Sequence, residues 1–348
     1  MKTVNTLKRL LIITLCLCMV LPLAACGETK ESQKQVFAMD TVMTLIAYGN
    51  KAESGLNAAE SVILSMDAML DPDVETSSTY AINNANGANV SISGQLAKML
   101  STAQTVYRQS NGALDLSIFP VLELWGFHNS RYYVPTPEEL ASAIAQRCFD
   151  SMVLTSFPSS GSFAVSFPAG AKISFAAVGK GNAAENAINA MRNVGVTSAL
   201  VSMGGNVQTL GLKPDGTNWN IAVQDPNNAS TYLGVISVGE TAVVTSGGYQ
   251  RFFTQNGKTY HHLINPETGS PINNTLSSVT IICEDGTMAD CLSTAMYILG
   301  ESKALNYWRT YGGFEMILIN KENQITCTKG LIEKFTLIND GYTLSYTE

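Results

Sequence analysis

The hydrophobic positions change period several times along the chain, and the changes lay out an order of elements. Phe37 to Tyr48, FAMDTVMTLIAY, alternates and predicts a first strand. Leu56, Ala59, Ile63, Met66 and Leu70 then recur at helical spacing, and Asp71-Pro72 stops that helix. Gln95 to Ser110 reads as a second amphipathic helix, and Thr136 before Pro137 and Glu138 as the cap of a short one. Residues 156–170, rich in Ser, Pro, Gly and Phe, read as a loop or hairpin, and a helix follows from Asn182 to Val194. SALVSMGGNVQTLGL predicts strand, Gly204-Gly205 turn and strand, and Trp219 to Pro226 a strand ending in a turn. After GVISV and TAVVT come a helix near Ala289, another in KALNYWRTYG and closing strands from EMILIN onward. Strands and helices follow each other without regular βαβ alternation, so the fold class expected is α+β, with antiparallel sheets and packed helices.

Composition narrows the partners. The 348 residues are 45% hydrophobic and 14% charged, which is globular, and the formal charge is −7. The first 25 residues hold Lys2, Lys8 and Arg9, a short apolar run and then Leu23-Ala24-Ala25-Cys26. That pattern reads as a leader, too short for a comfortable membrane span. Without those three cations the charge becomes −10, and no Lys/Arg run follows, so nucleic acid is excluded as a partner. The Leu-Ala-Ala-Cys ending resembles a bacterial lipobox. It implies cleavage of residues 1–25 as a lipoprotein signal peptide, acylation of Cys26, a tether over residues 26–35, and one domain over residues 36–348. Two acyl chains would hold the protein stably at the outer face of a cell membrane. Beyond the leader and Cys26, Cys148, Cys283, Cys291 and Cys327 show no CxxC pair, so zinc is not expected and no disulfide is assigned.

The candidate chemistry gathers between Thr245 and Gly300, where His261 and His262 stand side by side ahead of a helix. Asp290 and Thr294 are four apart and share one helix face, so both oxygens could serve a hard cation such as Mg²⁺, although an Asp near a helix start equally suits a capping role. Upstream, Ile173 to Gly181 carries Lys180 between glycines at a helix start, an arrangement that suits a phosphate and also a plain βα turn.

TSGGYQRFF, HHLINPETGSP and MADCLSTAMYILG, in this order and spacing, resemble the signature blocks of the ApbE family of FAD:protein FMN transferases. Gly112-Ala-Leu-Asp-Leu-Ser117 with Pro120 and Trp125-Gly126-Phe127 resembles another block of that family, and Met39-Asp40-Thr41 its opening block. The resemblance implies an ApbE-like, T-fold-related architecture with an FAD cleft between two lobes, and Mg²⁺-dependent transfer of FMN from FAD to a Ser or Thr hydroxyl of an acceptor redox protein carrying a flavinylation motif, with release of AMP. It implies Ala177, Asp290 and Thr294 as metal ligands and His262 as the catalytic residue. As nucleotide-binding residues it implies Met39, Tyr80, Ala113, Leu114, Asp115, Lys180, Glu185, Asp225, Thr245, Ser246, Gly247 and His262. Trp125 and Phe127 read as packing residues, and Asn206 and Asn265 stand where the family often has Asp. Hydrolysis of FAD to FMN and AMP, and flavin binding without chemistry, are the alternatives.

Overall fold

The computed structural model describes residues 30–347; the leader, Cys26 and the first residues of the expected tether lie outside them. In chain order the elements are β1 (Glu31–Ala38), β2 (Thr41–Tyr48), α1 (Ala52–Leu70), α2 (Ser78–Asn83), β3 (Val90–Ile92), α3 (Gly94–Gln109), α4 (Phe119–Leu124), α5 (Pro137–Ile144), β4 (Val153–Phe157), β5 (Ser162–Ser166) and α6 (Gly179–Asn193). There follow β6 (Ala199–Met203), β7 (Asn206–Leu210), β8 (Trp219–Asp225), β9 (Asn228–Val238), β10 (Ala242–Gly247), β11 (Phe252–Gln255), β12 (Lys258–His261), β13 (Leu276–Cys283), α7 (Gly286–Leu299), α8 (Glu301–Tyr311), β14 (Glu315–Asn320), β15 (Gln324–Cys327), β16 (Phe335–Leu337) and β17 (Thr343–Tyr346).

The α+β expectation holds. A nine-stranded sheet runs β1-β2-β6-β7-β10-β13-β14-β15-β17, antiparallel at every pairing except β15 with β17. Side-chain alternation sorts its two faces. Val201, Val244, Ile281 and Leu318 join the helices in one core, whereas Val243, Ile282, Ile317 and Ile319 face the small sheet β16-β9-β8 in a second. A third cluster forms a smaller lobe in which Trp125, Phe127 and Ile264 pack with Phe253 of the β11–β12 hairpin.

Two expectations need correction. Phe37 to Tyr48 is not one strand. It breaks at Met39 and Asp40, both at positive φ (48° and 58°), into a hairpin in which Phe37 pairs with Val42. Residues 31–35 are not tether but the edge strand β1, paired along its length with β2. Its polar side chains suit a sheet edge, and Lys34 reaches Asn57 and Glu60 of α1.

The helix expected near Ala289 begins earlier. Asp285 is its N-cap and accepts from the Met288 amide at 2.9 Å, which leaves Asp290 for other work. That work is to join α7 to α6. Asp290 Oδ2 accepts from the Gly181 amide at 2.8 Å, and a Cβ on Gly181 would lie 2.1 Å from the Gly286 carbonyl oxygen and 2.5 Å from Asp290 Cβ. A polar chain that runs from the surface into the core reinforces the contact. Gln95 donates to Asn182, Asn182 to Thr287, and Thr287 to Glu185, whose other oxygen meets Lys98 at 2.7 Å. Replacing Gly181 with Ala should therefore wedge α6 from α7 and cost about 2 kcal/mol or more of unfolding free energy. Urea titration of the two proteins measures this, and an unchanged midpoint would show that the helices are not held by that contact.

Candidate functional site

One cleft opens where strand ends, helix starts and the smaller lobe converge. Its walls come from the segment after α3, the approach to α6, the β6–β7 turn, the end of β10, the segment after β12, and α7. Ala113, Leu114, Asp115, Ala177, Lys180, Thr245, Ser246, His262, Asp290 and Thr294 all line it, so ten of the residues singled out in the sequence meet around one space.

At the α6–α7 corner a tight turn brings the chain into α6, with the Val178 and Gly179 amides both donating to the Phe175 carbonyl. In a regular helix the Gly181 amide would return to the Ala177 carbonyl. It goes to Asp290 instead, so the Ala177 carbonyl has no backbone partner among the described residues. Asp290 Oδ1 and Thr294 Oγ1 likewise have no hydrogen-bond partner there, and both residues line the cleft although Asp290 is 4% exposed. Three oxygens, one of them carboxylate, suit a hard divalent cation such as Mg²⁺ that draws its remaining ligands from water or substrate. Among the described residues no cluster of three or more His, Cys, Asp or Glu forms a self-sufficient cage.

The second corner is cationic. His262 Nδ1 lies 3.1 Å from the Arg251 carbonyl, which can only accept, so Nδ1 carries the proton and Nε2 is left as an acceptor. Burial, with the Lys180 and Arg251 charges nearby, pushes this imidazole from its ordinary 6.5 down to about 3. Arg251 lines the cleft as well, and its guanidinium donates to the Phe127 carbonyl. Lys180, in the first turn of α6, makes no salt bridge among the described residues.

At the end of β10 hydroxyl pairs stand on both faces of the sheet. Thr245 meets Thr280 at 2.8 Å, Ser246 meets Ser293 at 2.8 Å, and Ser293 donates to the Asp290 carbonyl at 3.0 Å. The opposite wall is apolar, with Ile118, Phe119, Leu122, Phe127 and Ile264 presenting a face that suits a large flat ring. Asp115 lines the cleft, but its oxygens are already engaged by the Ser117 amide and hydroxyl and by Arg147 at 2.8 Å, so it braces the wall.

Five expected nucleotide contacts are not among the cleft-lining residues. Glu185 is drawn to Thr287 and Lys98 behind α6. Asp225, 5% exposed, accepts from Tyr342, Asn339 and the Asn227 amide and ties β8 to the C-terminal strands. Gly247 leaves room for the Tyr249 ring, whose nearest atom would lie 2.4 Å from a Cβ there. Tyr80 sits in α2, which Ser77 caps. Met39 occupies the β1–β2 turn with its amide on Asp67, one turn residue away from Thr41, whose hydroxyl would lie 2.8 Å from a Cβ on Gly204 of the cleft. Trp125 is a packing residue, 3% exposed, with its indole donating to the Gly269 carbonyl. Phe127 packs in the same cluster but also reaches the cleft. Cys148, Cys283, Cys291 and Cys327 are all free thiols. The sequence pattern did not mark Arg251 or Ser174, although they lie inside the TSGGYQRFF block and the Ile173–Gly181 stretch, nor His128, which stands in no motif.

Comparison with known proteins places this geometry. The ApbE family model matches residues 39–318, and the chain belongs to that family. A Treponema pallidum protein named FAD:protein FMN transferase is 27% identical over 94% of this chain and 96% of its own length. The crystal structure of the ApbE protein from Thermotoga maritima superposes with a TM-score of 0.78 at 25% identity, covering 86% of this chain and 98% of that one. The apo form of Pseudomonas stutzeri flavinyl transferase ApbE superposes at 0.76 and 26% identity, covering 88% and 97%.

The depressed His262 gives a sign to the pH response. Between pH 6.5 and about 3 the unfolded chain takes up a proton that the folded chain refuses, so stability falls as pH falls through this window. His262→Gln should flatten that slope, read from urea midpoints at several pH values; identical slopes in the two proteins would mean that His262 is not held neutral.

Proposed function

We propose that this chain transfers the FMN half of FAD to a Ser or Thr hydroxyl of an acceptor protein and releases AMP. In the balanced reaction the hydroxyl oxygen bonds to the FMN phosphorus, the bond from that phosphorus to the bridging oxygen breaks, and AMP leaves with that oxygen. The hydroxyl proton passes to His262 Nε2 or to solvent. The observation that carries the reading is one cleft lined by a one-carboxylate oxygen cluster, by Lys180, Arg251 and His262, and by a broad apolar wall.

Transfer between phosphate esters needs alignment and charge neutralisation more than covalent help. Ala177, Asp290 and Thr294 are the residues that would hold Mg²⁺, which when bound supplies Lewis-acid stabilisation to a diphosphate. Lys180 and Arg251 bring positive charge to the same region, and the apolar wall receives the isoalloxazine ring. His262 Nε2 is an uncharged acceptor directed by the Arg251 carbonyl. A bound polyanion would raise its proton affinity above that of the free protein. Relatives named for this same transfer, one of them 27% identical across nearly the whole chain, support the reading.

Incubation of the purified protein with FAD, Mg²⁺ and a candidate acceptor should add the mass of FMN to the acceptor and release one AMP per adduct. Equal AMP release without any acceptor would make the chain a hydrolase, and FAD bound without AMP release would make it a carrier. Asp290→Asn keeps an oxygen for the Gly181 amide but loses the charge, and should slow turnover on the order of 100-fold while the protein still folds, at a somewhat lower melting temperature.

The anchor is a proposal carried by the leader and Leu23-Ala24-Ala25-Cys26. It places the cleft outside the cytoplasm at a membrane surface, among acceptor redox proteins. No helix among the described residues is long and apolar enough to cross a membrane. Cys26→Ser should move the protein from the membrane fraction to the soluble one in fractionated cells; persistent membrane retention would refute lipid anchoring.

A further inference from the structure

The β11–β12 hairpin stands beside the cleft with an open edge. Its two-residue loop, Asn256-Gly257, has positive φ at both positions (53° and 73°), which makes Gln255 and Lys258 the closing hydrogen-bonded pair. Hydrogen-bonded pairs then alternate down the ladder through Phe253–Tyr260 to Arg251–His262, where the His262 amide donates to the Arg251 carbonyl at 3.1 Å. Phe252 and Thr254 fall between these pairs, so their amides and carbonyls point outward from β11. Neither residue has a backbone partner outside the ladder among the described residues. Phe252, Thr254 and Gln255 are exposed, whereas Tyr260 and His261 on the other strand are half-buried and His261 is tied to the Ile272 carbonyl. β11 therefore offers the more accessible row of unpaired backbone groups.

The position and charge of this edge say what it fits. β11 begins at the residue after Arg251, and Gln250, Arg251 and His262 all line the cleft. A strand laid along β11 advances about 3.3 Å per residue, so one or two residues beyond Phe252 carry it to the cleft. From Thr241 to Pro266 the chain holds Arg251, Lys258, His261 and His262 and no acid, although the whole sequence has a net charge of −7. Lys258 lies over the Tyr260 ring at 5.2 Å, and Phe253 anchors the hairpin by stacking on Tyr132 and Tyr260 at 4.8 and 5.3 Å. A firmly based, locally cationic strand edge suits an extended acidic peptide segment.

We propose that the acceptor protein adds an extended, acid-bearing segment to the edge of β11, its backbone hydrogen-bonding with Phe252 and Thr254, and so delivers its hydroxyl to the cleft. This rests on the FMN-transfer reading and names how the protein substrate of that same site is held. The probe is a protein that the parent chain labels with FMN, together with a synthetic peptide spanning its labelled Ser or Thr. Thr254→Pro removes an outward amide without touching the hairpin's own hydrogen bonds, and Thr259→Pro does the same on β12 as a control. Thr254→Pro and Lys258→Glu should raise the KM for the acceptor about 10-fold, with kcat at saturating acceptor and calorimetric FAD affinity unchanged, and Thr259→Pro should match the parent. The peptide should slow hydrogen exchange at the Phe252 and Thr254 amides. Unchanged KM in Thr254→Pro, or an equal rise in Thr254→Pro and Thr259→Pro, overturns the proposal and leaves the transfer reading intact, as does exchange that the peptide does not slow. Protection of those amides on raising the concentration of the chain alone assigns the edge to a second copy and overturns it as well. A parent that transfers FMN to no acceptor overturns both.

Discussion

The site depends on the close approach of two helix starts, made possible by two glycines and one carboxylate. Gly181 and Gly286 let the backbones of α6 and α7 meet at a distance that a methyl group would forbid, and Asp290 fills the vacancy with a charge-assisted hydrogen bond to the Gly181 amide. The same bond diverts that amide from the Ala177 carbonyl. One contact thus joins two distant chain segments and, in doing so, leaves oxygens from both facing a common space. The polar chain from Gln95 to Lys98 stiffens the joint from behind, with Asn182 and Thr287 as its buried links.

Charge in the cleft is arranged around this joint. The oxygens lie on the α6–α7 side, while Lys180, Arg251 and a neutral His262 stand at the other corner. His262 stays uncharged chiefly because burial strips its hydration, with the nearby Lys180 and Arg251 charges adding to the effect, so the site holds two positive charges and a neutral imidazole. Asp115 is turned to Arg147, which keeps its carboxylate from competing with a phosphate for the free cations.

What the sequence discloses follows the range of the interaction concerned. Helix α1 is legible because Leu56, Ala59, Ile63, Met66 and Leu70 write its buried face in one short window. The break at Met39–Asp40 is not, since both residues hold a left-handed backbone without the glycine or asparagine that usually marks it. Nor is β1, whose side chains at a sheet edge show almost no alternation of polarity. The four-residue spacing of Asp290 and Thr294 is visible locally, but the partner that fixes Asp290 lies 109 residues upstream. Glu185 and Asp225 look like ligand-binding acids for the same reason: their protein partners, Thr287 and Tyr342, are 102 and 117 residues away. Only the family resemblance crosses those distances, and it does so for blocks of sequence more reliably than for single side chains.

The long separation between the two halves of the joint bears on how the protein comes into being. A nascent chain that has reached the end of α6 holds Lys180 and the Ala177 turn but nothing to close against them, and it stays so until α7 has been synthesised more than a hundred residues later. Closing such a large loop must precede the contacts that reward it. Assembly of the cleft is therefore a late event in the birth of the molecule, and truncation anywhere before residue 294 yields a chain that lacks part of the α6–α7 oxygen cluster.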